Sequence, residues 1–249
     1  VSQLIESHSR KAAAILDSAR ELVLDHGVRK VTVADIARAA GVGKGTVYLY
    51  WPAKEDLILG LFARELLTFL DEIIARLTAD PAVVLPRRLA PLLIRTGLKL
   101  PLARRLKSGD ADLLRLLTHQ AGDPDLFTRT TPSALCEAVM PVLHRHALIR
   151  HDRPLADQAY ALHAVLSGFG TAMSDPATAP RCAGDPDDVL ADTVALLLDP
   201  ATAPGEPAIA AAAEETVTVM RQTREAVLDL IKRSQVTGHQ ARPDQPVQE

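Results

Sequence analysis

The side chains best suited to chemistry in this chain fall in one short stretch: Thr32, Lys44, Gly45, Thr46, Tyr48, Tyr50 and Lys54. Short hydroxyls, ammonium groups and phenols at helical spacing reach phosphate oxygens, base edges and thymine methyl groups in a DNA major groove. The segment GVGKGTVYLYWPAKEDL, residues 41–57, holds two of the three tyrosines and the only tryptophan. Residues 26–54 set five basic side chains, Arg29, Lys30, Arg38, Lys44 and Lys54, against Asp35 alone, although the whole chain carries a net charge of −3. The overall acidity argues against indiscriminate binding to nucleic acid, and the local excess marks where a polyanion would be met. No nucleophile elbow, phosphate loop or pair of catalytic carboxylates stands out, so the chain reads as a binding protein without a cofactor and not as an enzyme.

Small helices must position these side chains. Ala, Leu and Arg dominate and period-two alternation is almost absent, which predicts an all-α fold. A first helix runs from about Arg10 to His26, with Ala13, Leu16, Ala19, Leu22 and Val23 on one face and Gly27 at its end. Thr32 is placed to cap a short second helix, with Asp35 three residues on in a capping-box position. Gly41-Val42-Gly43 then turns the chain into a short helix from Lys44 to Tyr50, with Gly41 free to take positive φ and Val42 and Val47 as the small core. Two short helices joined by a glycine turn describe a helix-turn-helix. Trp51, just before Pro52, is expected to anchor a long fourth helix, Lys54 to Leu77, against the first.

Prolines and glycines divide the remainder into helices near 83–99, 101–119, 125–148, 154–173, 186–198 and 207–234, with a tail from about Gly238. The hexapeptide DPATAP, at 175–180 and 199–204, follows an apolar helix each time and reads as a stop signal. With 47% apolar residues, no run of membrane-spanning length and no apolar signal core at the start, the chain is expected to be soluble and cytoplasmic, with no membrane partner. Cys136 and Cys182 are too few for a disulfide framework.

The order of a first helix, VTVADIARAAGVGKGTVYLYWPAKEDL and a long fourth helix resembles the DNA-binding domain of the tetracycline-repressor (TetR) family of bacterial transcriptional regulators. The resemblance is detailed over roughly residues 10–60. It implies that Thr32 starts the second helix at a phosphate, that Lys44, Gly45 and Thr46 lie at the front of the recognition helix, that Tyr48 and Tyr50 touch backbone or bases, and that Lys54 binds phosphate. The sequence departs from the family where Leu49 replaces a frequent aromatic, Tyr50 a histidine and Trp51 a phenylalanine or other apolar anchor.

The resemblance also implies a domain division: 1–53 for DNA binding, 54–237 for effector binding and dimerisation, and 238–249 as a flexible tail. The helix at 154–173 is apolar on two faces, Ala159/His163/Leu166/Gly170/Met173 and Gln158/Leu162/Val165/Phe169/Ala172, so both must be covered. Giving one face to a second copy yields a homodimer through Leu162, Val165 and Phe169, with Val189, Thr193 and Leu196 of the next helix alongside. Candidates for lining a mainly aliphatic pocket for a small organic effector are His119, Cys136, Met140, His144, Tyr160 and His163. His144 and His146 point to different sides of a helix, with His151 and Asp152 in the following loop, so no metal site is expected. The function so expected is a repressor on a palindromic double-stranded operator, released by its ligand. An all-helical enzyme and an effector-independent DNA binder are the rival readings.

Overall fold

A computed structural model describes residues 4–102, 104, 132–177 and 179–235, the side chains of 132–135 excepted. Among the described residues are nine α-helices and no strand: α1 Arg10–His26, α2 Val33–Ala39, α3 Lys44–Tyr50, α4 Lys54–Ala79, α5 Pro86–Leu98, α6 Pro132–Arg145, α7 Leu155–Ser174, α8 Pro186–Leu198 and α9 Glu206–Arg233. The fold is all-α, with a small helix-turn-helix unit at the N-terminus and a larger helical part beyond it. Most of the expected helix at 101–119, the part of the 125–148 helix before residue 132, and the tail beyond residue 235 lie outside the described residues.

Local chemistry sets the helix ends. The Ser9 hydroxyl oxygen accepts the Ala12 N–H at 3.2 Å at the start of α1, and Gly27, at φ 81°, closes that helix by donating to the Val23 carbonyl. The stretch expected as one helix from 83 begins instead as a 3₁₀ turn, Pro81–Val84. Pro86 then opens α5, its fixed φ suiting a first helical position. Both DPATAP segments follow a helix end, with the Asp175 N–H bonded to the Thr171 carbonyl and the Asp199 N–H to the Ala195 carbonyl.

One contiguous apolar core runs through the described helices, and α4 is its spine. At its start α4 meets α1, and along its length it meets α5 and, most extensively, α9. That explains why Leu57, Ile58, Leu59, Leu61, Leu70, Ile73 and Leu77 are all buried, although they do not lie on one stripe. The two long helices run antiparallel, because Arg224 of α9 donates to Asp71 of α4 while Ser234, just past the end of α9, lies against Gly60 near the start of α4. A β-carbon at Gly60 would sit 3.1 Å from both the Arg64 guanidinium and the Ser234 hydroxyl, and would push them aside by a few tenths of an ångström. No helix among the described residues is long and apolar enough to cross a membrane.

Candidate nucleic-acid interface

The front of the molecule is built from α2, its turn and α3. Thr32 caps α2 through a reciprocal box: its hydroxyl oxygen accepts the Asp35 N–H at 3.2 Å, and its own N–H donates to the Asp35 carboxylate at 3.2 Å. The same hydroxyl donates to that carboxylate at 2.6 Å, and Arg38 donates to its other oxygen at 2.6 Å. The Thr32 hydroxyl and N–H, with the Arg38 charge, hold the Asp35 carboxyl below the usual carboxylate range. Thr32, expected at a phosphate, therefore has its hydroxyl proton committed to the cap.

Past the cap, α2 ends in a Schellman turn. Gly41 stands at φ 66°, its N–H donating to the Arg38 carbonyl, while the Val42 N–H donates to the Ala37 carbonyl at 2.9 Å. Ala37 and Val47 are buried at the crossing of the two short helices. With α3 so fixed, its side chains sort into two sides. Val47 and Tyr50 face the core, and Lys44, Gly45, Tyr48 and Leu49 are exposed, with Thr46 half-buried between them. The Lys44 ammonium sits 5.9 Å from the centre of the Tyr48 ring, a cation–π contact that pairs the two side chains along one edge.

Two expected contacts are corrected by the packing. Tyr50 is only 7% exposed; its hydroxyl lies 2.9 Å from Ser9 Oγ at the head of α1, and its ring tilts against Trp51 at 5.7 Å. The same Ser9 oxygen that caps α1 thus receives the recognition helix. Lys54 also turns inward, its ammonium donating to the Val28 and Val31 carbonyls at 3.1 and 3.0 Å. It ties the loop before α2 to the start of α4, where Glu55 and Asp56 in the first turn already complement the helix dipole. Burial pushes the Asp56 carboxyl above its ordinary value. Trp51 is fully buried beside α4, as expected of an anchor.

Sequence reasoning missed Leu49, which is 52% exposed. Its position, four residues after Gly45 and opposite the buried pair, was the available signal, and its apolar character masked it. Arg29 and Lys30 before α2 and Arg38 on it are also exposed; His26, Lys30 and Arg38 line an open cleft of about 340 Å³ between α1 and α2.

In the larger part, the described members of the expected pocket set lie on α6 and α7. His119 lies outside the described residues. Cys136 and Met140 are buried on α6, where burial, with the charge of Glu137, pushes the Cys136 thiol up to about 11. His144 stacks on His151 with ring centres 3.9 Å apart, His163 is half-buried within 3.5 Å of Ser167, and Tyr160, at 78% exposure, faces outward. The expected dimer residues divide between the chain's own core and its surface, and the α7 part of the stripe is corrected. Leu162 is buried within its own chain, and Val165 and Phe169 pack on the same core, because α7 is covered there by α5, α6 and α8. The Thr193 hydroxyl donates to the Val189 carbonyl of its own helix. The outward face of α7 instead carries Tyr160, Ala164, Ser167, Gly168 and Thr171, while Val189 and the 85%-exposed Leu196 of the expected set are exposed on α8.

A capped helix, a glycine turn and a second helix with one polar, basic face outward make a helix-turn-helix domain of the kind that reads DNA. Residues 15–61 match the family model of the tetR family of bacterial regulatory proteins. This segment is thus similar to the N-terminal region of tetR-family regulators. It is 38% identical over 61 residues to the fatty acid metabolism regulator protein of Bacillus subtilis (strain 168), covering 24% of this chain and 31% of that one. It is also 44% identical over 62 residues to the HTH-type transcriptional repressor LfrR of Mycolicibacterium smegmatis, covering 24% and 32%. The chain thus spans about a third of the length of these curated relatives. Among solved structures, a TetR family transcription regulator from Marinobacter aquaeolei VT8 superposes with a TM-score of 0.54 at 20% identity, over 76% of this chain and 95% of that one. FadR of Bacillus subtilis, solved with stearoyl-CoA, does so with a TM-score of 0.50 at 18% identity, over 75% and 97%. At these identities the likeness is one of fold.

Proposed function

We propose that the chain is a homodimeric, ligand-responsive transcriptional repressor that binds a palindromic operator and acts in the cytoplasm as a regulator and not as an enzyme. The observation that carries this reading is the outward face of α3, where Lys44, Gly45, Thr46, Tyr48 and Leu49 stand on a buried footing of Val47 and Tyr50 in the basic part of an acidic chain. In this reading residues 1–53 bind DNA, with Thr32, Tyr50 and Lys54 as positioning residues, and residues 54–237 bind the effector and the second copy.

A palindrome presents two half-sites one helical turn apart, so two recognition helices must be held at that spacing. The exposed Tyr160, Val189 and Leu196 on neighbouring helices supply an apolar face for a twofold partner. A small, mainly apolar organic effector that binds better to a conformation with α4 displaced would pull the recognition helices out of register, to the extent of its differential affinity. Such a shift reaches the reading helix because α4 packs against α1 and begins four residues after α3 ends.

Selection of binding sites from random duplex DNA, followed by sedimentation of the complex, tests the reading. The expected result is an enriched palindrome carrying two chains. Recovery of no preferred sequence at low salt overturns it.

A further inference from the structure

The outward face of α3 has two rows, and they differ in chemistry. Lys44 and Tyr48, four residues apart, form a charged and phenolic edge held by their ring contact. Gly45 and Leu49, also four apart, form the other. Side chains on a helix lean toward its N-terminus and cover the preceding turn, so Leu49 lies over the turn that Gly45 leaves bare. Among the described residues, its own neighbours and helix backbone aside, nothing comes within 4 Å of a β-carbon placed at Gly45, so no packing seen there requires glycine. The row is an apolar ledge with an open step, beside the row that carries the Lys44 ammonium.

A leucine has no donor or acceptor, so it cannot read a base edge by hydrogen bonding. Set against the N4 amine of cytosine, the N6 amine of adenine or the O6 and N7 of guanine, it would strip water from a polar group and give nothing back. The C5-methyl of thymine is the one apolar group that the four bases present in the major groove. Resting on the DNA-reading role proposed above, we infer that Leu49 is a specificity-determining residue that packs on a thymine methyl group in each half-site, with the bare Gly45 leaving room for the approach.

The test begins with the operator selected by the wild-type protein from random duplex DNA. Each thymine of the half-site is then replaced singly by uracil, which removes the methyl group and leaves base pairing intact. One position is expected to lose affinity roughly fourfold, the worth of one buried methyl group. Leu49→Ala, at an exposed site that the fold does not depend on, should bind more weakly and show no further loss on the same replacement. A half-site without thymine, uracil tolerated at every position, or a Leu49→Ala variant that keeps the full uracil penalty overturns the inference while leaving the DNA-reading role standing. A wild-type protein that selects no sequence overturns both.

Discussion

Arg64 and Glu6 lie 58 residues apart and meet through two hydrogen bonds, Nε to Oε1 at 2.6 Å and Nη2 to Oε2 at 2.7 Å. Arg64 is buried on α4, and its remaining terminal nitrogen donates to the Gly60 carbonyl at 2.9 Å, so the segment before α1 is fastened to the helix that carries the larger part. Burial alone would raise the Glu6 carboxyl, but the hydrogen bonds and charge of Arg64 outweigh it and hold the carboxyl below its ordinary value. A group depressed in the folded state contributes stability that is present above its unfolded pKa and lost as the pH falls through its folded pKa. Glu6→Gln should therefore be less stable than wild type at pH 7, because it strands a buried guanidinium, and the two should converge in acid. Urea unfolding at a series of pH values checks this; a constant gap across the acid range would mean that Glu6 is not the titrating partner.

Tyr50 and Ser9 give a second expectation. Tyr50→Phe keeps the ring and removes the hydroxyl that meets Ser9 Oγ. It should cost about 1 kcal/mol of stability, the net worth of a typical hydrogen bond, and leave the selected DNA sequence unchanged. Denaturant unfolding and site selection on the same preparation decide it, and an altered site preference with unaltered stability would return Tyr50 to the interface.

Lys54 and Lys44 should separate in salt. Lys44→Ala removes an exposed ammonium at the front of α3 and should lower the slope of log affinity against log salt by about one unit per half-site. Lys54→Met should leave that slope alone and lower stability instead, by about 1–3 kcal/mol, because two loop carbonyls lose their donor. Salt titrations of both variants test the division. A slope reduced equally in the two would place Lys54 at the phosphates.

Much of the front of the molecule was legible because it rests on local chemistry. The Thr32–Asp35 box, Gly27 and Gly41 each act through neighbours three to five residues away, and their roles follow from spacing alone. Tyr50 and Lys54 were not legible as positioning residues, because their partners are Ser9, Val28 and Val31, brought close only by the packing of α1 and the loop after it. Leu49 was not singled out as a surface contact for another reason: the helical angle places it outward, but it carries no polar group to mark it. On α7 the sequence shows that two faces are apolar without showing which one the chain covers itself, and contacts with α5, α6 and α8 decide that.

The α7 correction yields an expected outcome for assembly. Leu196→Glu or Tyr160→Glu places charge on an exposed apolar face and should turn a dimer into monomers that stay folded. Phe169→Glu instead sets a charge against the chain's own core and should lower the unfolding temperature whatever the assembly state. Light scattering alongside thermal unfolding reads both. Folded dimers in Leu196→Glu and Tyr160→Glu would move the interface elsewhere.

The antiparallel seating of α9 on α4 also sets a timetable. The two helices are separated in sequence by about half the chain, so at ordinary translation rates on the order of ten seconds pass between the synthesis of one and of the other. In that interval α1–α3 can close on the first turns of α4, and Glu6 can find Arg64, since everything they need has already been made. The side of α4 that α9 will cover stays wet until the last helix arrives. The nascent chain thus holds a finished reading head on an unfinished shaft, and that bare flank is where a chaperone, or another nascent copy, would find it.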